Sequence, residues 1–162
     1  MRITVLIVAL LVCISIVWAS QGTDQTMTEA QRSAIEKAVL ETNVRMTQAS
    51  SSLDADKFFA YILDSDKGPI IQDGRLFKTR AEALEVVKAG FQAVSKMDRR
   101  YDQTYVTVIS PQVALLCATG SSTATLPDGR TLSSPFAVSL VFVLRDGQWK
   151  VLHGHYSIPN QQ

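Results

Sequence analysis

Cysteine is nearly absent: the 162 residues hold only Cys13 and Cys117. Cys13 lies in an N-terminal run expected to be removed, so Cys117 would stand alone and no intramolecular disulfide could form. Its neighbours Val113-Ala114-Leu115-Leu116 and Ala118 are apolar, which predicts a buried, unreactive thiol. The fold must then rest on a hydrophobic core, for which a chain this long suffices. Histidine is just as scarce, with only His153 and His155, and no nearby carboxylate supplies a third ligand, so no metal centre is expected. Nor does one sign of charge dominate, with 16 Lys and Arg against 15 Asp and Glu. That balance gives no reason to expect nucleic acid as a partner.

Several chemical motifs are missing as well. Gly120-Ser121-Ser122 lacks the further glycine of a nucleophile elbow, and no phosphate-binding glycine loop is present. Asp54, Asp56, Asp64, Asp66 and Asp73 do not make a calcium loop, because Gly68 falls one place early and Arg75 stands where a closing glutamate belongs. Hydrolase and nucleotide-dependent chemistry are set aside, and no cofactor is expected.

The one long apolar run spans residues 3–17 behind Met1-Arg2 and closes on Val17-Trp18-Ala19. This is a secretory signal pattern of bacterial type. It predicts cleavage after Ala19, a mature start at Ser20 and a secreted or periplasmic location, with no membrane contact after cleavage. A retained anchor is the rival, at the short end of the ~20 residues a span needs. Val12 is too large before Cys13 for a lipid-attachment site. Residues 20–27 are short and polar, a flexible leader, and residues 28–162 form the domain.

Thr28-Glu29-Ala30-Gln31 is a capping box. Behind it Ile35, Ala38, Val39, Thr42 and Met46 recur at helical spacing. Leu53-Asp54-Ala55-Asp56 opens a second helix with Phe58, Phe59, Ile62 and Leu63 on its apolar side. Asp73-Gly74 then joins the short runs Ile70-Ile71 and Leu76-Phe77 into a hairpin. A second box, Thr79-Arg80-Ala81-Glu82, starts a third helix with Leu84, Val87, Phe91 and Val94 inward. Residues 101–109, 113–126, 131–144 and 148–158 read as four strands whose short links make neighbours antiparallel. Helices first and strands afterwards predict an α+β domain, with three helices packed on a four-to-five-stranded antiparallel sheet.

The final segment carries Trp149-Lys150-Val151-Leu152-His153-Gly154-His155-Tyr156-Ser157. Its W-x-V-x-H-x-H-x-S spacing resembles the last strand of the nuclear transport factor 2 superfamily, in particular its SnoaL-like branch and the association domain of calmodulin-dependent kinase II. Leu53-Asp54-Ala55-Asp56-Lys57-Phe58 and Asp73-Gly74-Arg75-Leu76 are similar to that family's second helix and hairpin. The resemblance implies a cone with a pocket between helices and concave sheet, used by enzymes, binding modules and association hubs alike. In a ketosteroid-isomerase-like member the catalytic base would fall on Asp73. The donor tyrosine would fall near Val44, which cannot donate, so the catalytic pair is incomplete.

The expected function is therefore binding of a small hydrophobic or amphipathic molecule. An isomerase or dehydratase using Asp73 and a non-catalytic association module are the alternatives. Tyr61, Tyr105, His153, His155 and Tyr156 are the candidate ligand contacts. With period-two alternation His153 and His155 share a face with Trp149, Val151 and Ser157, opposite Tyr156. A three-residue turn at Arg145-Asp146-Gly147, with Gly147 left-handed, is expected, setting Ser139 opposite His153 as a hydrogen-bond partner and Ala137 opposite His155. A two-residue turn would substitute Leu140 and Val138. The strand holding Phe136, Val138, Leu140 and Phe142 on one face and Ala137, Val141 and Val143 on the other predicts a homodimer through the sheet.

Overall fold

The computed structural model describes residues 27–158; the expected leader cleavage site at Ala19 lies outside them. Helix α1 (Glu29–Ser51) starts at the predicted capping box. The Thr28 hydroxyl accepts from the Gln31 N–H, while the Gln31 side chain accepts from the Thr28 N–H. Its buried side, including Val39, Met46 and Ala49, lies on the sheet.

Helix α2 (Ala55–Phe59) is shorter than its apolar spacing predicts. Ile62 and Leu63 leave the helix because the backbone there bonds to the last strand: the Val151 N–H donates to the Tyr61 carbonyl, and Val151 accepts from the Leu63 N–H, both at 2.8 Å. Strands β1 (Ile70–Gln72) and β2 (Arg75–Phe77) form the Asp73-Gly74 hairpin. At the start of α3 (Arg80–Gln92) the Thr79 hydroxyl caps the Glu82 N–H as expected. Glu82, however, reaches back past Thr79 to the Lys78 N–H at 2.9 Å and to Arg75 at 3.2 Å, and these contacts, the backbone one foremost, lower its pKa. The Arg80 guanidinium donates to the carbonyls of Phe59 and Ile62, tying α3 to the end of α2.

The remaining strands are β3 (Lys96–Ser110), β4 (Val113–Thr125), β5 (Thr131–Arg145) and β6 (Gln148–Ser157). With the hairpin they make one six-stranded sheet in the order β2-β1-β6-β5-β4-β3. The expected antiparallel meander gains one parallel pairing, β1 against the end of β6, with Ile70 opposite Gly154 and Gln72 opposite Tyr156. Alternation along the strands puts Ala114, Leu116, Phe136, Val138, Leu140 and Phe142 inward, all buried against the helices. Burying side chains of this size contributes roughly 1.5–3 kcal/mol each. Among the described residues no helix is long and apolar enough to cross a membrane.

The turn before β6 is the two-residue alternative and not the expected three-residue one, yet the partners of the histidines differ from those that either turn predicts. Asp146 and Gly147 both have positive φ, 51° and 73°, and Arg145 pairs with Gln148, so the turn has two residues. The ladder then shifts between Phe142–Val151 and Val141–His153, leaving Leu152 as the extra residue of a bulge. His153 therefore lies opposite Val141, and His155 opposite Ser139. The bulge also splits the expected stripe. Val151, fully buried, faces the helices beside Phe142, whereas His153, His155 and Ser157 face the other side.

Candidate functional site

Between the helices and the inner sheet face lies a cavity of about 330 Å³. Phe58, Phe59, Phe77, Phe91, Phe136, Val86 and Val87 supply most of its wall, with Ile62, Ile70 and Met97 beside them. Exposed Gly90 of α3 also lines it, and a Cβ there would meet no atom within 4 Å. The volume lies at the small end of the ~300–1,000 Å³ typical of ligand sites.

The polar groups of the lining are few and mostly fall on one row. Arg99 on β3 pairs directly with Ser122 on β4, which pairs with Ser134 on β5, and all three line the cavity. The Arg99 guanidinium carbon stands 5.5 Å from the Phe136 ring centre and 6.0 Å from that of Tyr156, within reach of both ring faces. Its Nε is buried without a hydrogen-bond partner among the described residues. Tyr156 lines the cavity from β6, and its burial, with the nearby Tyr101, pushes the phenol pKa up despite the opposing pull of Arg99. The phenol is thus a proton donor at neutral pH. Ser50 and Gln72 complete the polar lining, which among the described residues contains no carboxylate and no imidazole.

Of the predicted site residues, only Tyr156 lines this cavity. Tyr61 is half-buried against the core and holds Val151 through its carbonyl. Tyr105 is 66 % exposed on the outer sheet face, where it shares a row with Cys117, Ser139 and His155. These four line a shallow hollow of about 250 Å³. Cys117 is consequently half-exposed rather than buried, its sulfur 3.7 Å from the Ser139 hydroxyl; the inward places beside it belong to Leu116 and Ala118. The His153 Nδ1 lies 3.2 Å from the Gly68 carbonyl, on the loop before β1. Asp73 sits exposed at the hairpin tip with φ 50°, and its carboxylate accepts from the Ile158 N–H at 3.2 Å. It is next to the lining residue Gln72 but is not part of the lining. Val44 is exposed on α1, away from the cavity.

Sequence reasoning missed Arg99, Ser122 and Ser134. The signal was present for Arg99: Met97, Arg99 and Tyr101 alternate onto one face, and a charge in phase with Met and Tyr points inward.

Helices closed over a curved sheet, with an apolar cavity between the layers, define the class of cone-shaped α+β pocket domains. A family model of the SnoaL-like domain matches residues 39–161, and the chain belongs to that family, within the nuclear transport factor 2-like superfamily. Among solved structures it is similar to a nuclear transport factor 2-like protein from Salmonella enterica serovar Typhimurium LT2, with 18 % identity, TM-score 0.72, and 81 % of this chain and 95 % of that one covered. It is also similar to a candidate scytalone dehydratase from Novosphingobium aromaticivorans, with 9 % identity, TM-score 0.72 and coverage of 82 % and 89 %. A third is a candidate calcium/calmodulin dependent protein kinase II association domain from Xanthomonas campestris, with 16 % identity, TM-score 0.65 and coverage of 85 % and 93 %. Identities this low carry the fold and not the chemistry. A comparison with curated proteins finds no match.

Proposed function

We propose that the domain is an exported binding protein that holds a small, largely apolar molecule between its helices and sheet. The observation that carries this reading is the character of the lining: aromatic and aliphatic walls with a few convergent donors. Binding is favoured over proton-transfer turnover. A dehydratase or isomerase needs a proton acceptor beside the substrate, and among the described lining residues neither a carboxylate nor an imidazole is available. Asp73, the residue that would carry the enzymatic alternative, is engaged with the Ile158 backbone.

The test is titration with a neutral environment-sensitive dye, 6-propionyl-2-dimethylaminonaphthalene, followed by fluorescence. Saturable binding of one dye per chain is expected, lost in Ala83→Trp, whose indole would occupy the cavity that the buried Ala83 lines. Non-saturable fluorescence, or unchanged binding in a folded Ala83→Trp protein, would overturn the reading.

A further inference from the structure

Strand β3 treats its cations in two ways. Lys96 and Arg100 point outward, and each is paired on its own strand, Lys96 with Asp98 at 2.7 Å and Arg100 with Asp102 at 3.1 Å. Arg99 points inward and has no ion-pair partner among the described residues, although its Nε is buried. A buried guanidinium N–H with no acceptor is costly, and natural proteins retain such a group where something else completes it. Among the described residues that line the cavity there is no carboxylate to pair with it. Directly across from Arg99 in the sheet is Ser122, and across from that Ser134, whose small hydroxyl side chains do not neutralise the charge.

Resting on the reading of the cavity as a ligand site, we propose that its ligand is an organic carboxylate: a flat apolar body against Phe91 and Phe136, with the carboxylate on the Arg99 guanidinium and the Ser122 hydroxyl. A carboxylate matches the planar fork of one arginine through two parallel hydrogen bonds. A phosphate dianion calls for a second cation, and among the described lining residues Arg99 is the one positively charged group. The Tyr156 phenol is a further donor on the same wall, so the polar part of the cavity favours an anion over a cation.

The experiment compares 2-naphthoate with its neutral counterpart 2-naphthamide by calorimetry at pH 7, on the exported protein and on Arg99→Gln and Ser122→Ala. Wild type should bind the carboxylate about tenfold or more tightly than the amide, as expected of a charge-assisted hydrogen-bonded pair. That preference should vanish in Arg99→Gln, with amide affinity held within about twofold, and should shrink several-fold in Ser122→Ala. Equal affinities in wild type, or a preference that survives in both variants, would overturn the carboxylate assignment while leaving the cavity as a binding site. Should Arg99→Gln not fold, the Ser122→Ala comparison and the loss of preference expected with added salt decide the matter. Failure of both naphthalenes and of the neutral dye to bind would overturn the binding function itself.

Discussion

Arg99 and Tyr156 both line the cavity, the guanidinium carbon 6.0 Å from the centre of the phenol ring, on strands at opposite sides of the β4–β5 pair. The arginine favours ionisation of the phenol, but burial opposes it more strongly, and Tyr101 adds to the opposition. The net effect raises the folded pKa above its ordinary value near 10. The folded state therefore keeps a proton that the unfolded chain releases, so this group's contribution to stability is whole below about pH 10 and is lost as pH climbs beyond it. Spectrophotometric titration of tyrosinate should show one of the four tyrosines ionising only with alkaline unfolding, and Tyr156→Phe should remove that late step. Four tyrosines titrating together in the folded protein would contradict this.

Gly120 is packed tightly beside Phe136, which lines the cavity. A Cβ there would collide with the Arg100 carbonyl oxygen and come 2.8 Å from Phe136 Cζ. The close approach coincides with the register shift between Tyr101 and Gln103, which brings the β3 backbone over β4. Gly120→Ala should destabilise the domain by about 1–3 kcal/mol in urea unfolding, the usual cost of overpacking a core. Displacement of Phe136 should also weaken dye binding. An alanine tolerated without loss in either measurement would show that β3 can move away freely.

Much of this architecture was legible in the chain because its signals are local. Thr28 and Thr79 announce two helices through their own hydroxyls, and Asp146-Gly147 announces a turn by tolerating left-handed backbone. The site was less legible, and the bulge at Leu152 explains part of it. The sequence Trp149-Lys150-Val151-Leu152-His153 alternates without a break, yet the extra residue is specified by the backbone bonds of Val151 to Tyr61 and Leu63, far away in the chain. That one residue sends the histidines to the outer face and leaves Tyr156 in the cavity. Arg99 went unread for a different reason: beside Asp98 and Arg100 it looks like part of a solvated charge run, and only its phase with Met97 and Tyr101 marks it as inward.

Export follows from the first 19 residues as a prediction of its own. A short basic start, an apolar run and a small residue at its end are what a signal peptidase recognises. Intact-mass measurement on protein recovered from the periplasm or medium should give a chain beginning at Ser20. A membrane-bound chain retaining Met1 would establish an anchor instead.

The outer face of the sheet bears on assembly. Along its central row Cys117 and Ser139 are small, and His155 is exposed beside them, while Tyr105 projects at the β3 end of the same row with 66 % of its surface open. Small residues at the centre let a second sheet approach closely, and a tyrosine at one end supplies apolar area with a hydroxyl that can stay hydrated. Thr119 and Ala137, which line the same hollow, add no charge that would have to be desolvated on contact. We therefore predict that two copies of the chain pair through this face. Sedimentation at micromolar concentration should give a dimer, and Ser139→Arg should yield a monomer whose melting temperature is nearly unchanged, because Ser139 is exposed and outside the core. Monomer alone for the wild type would remove the assembly.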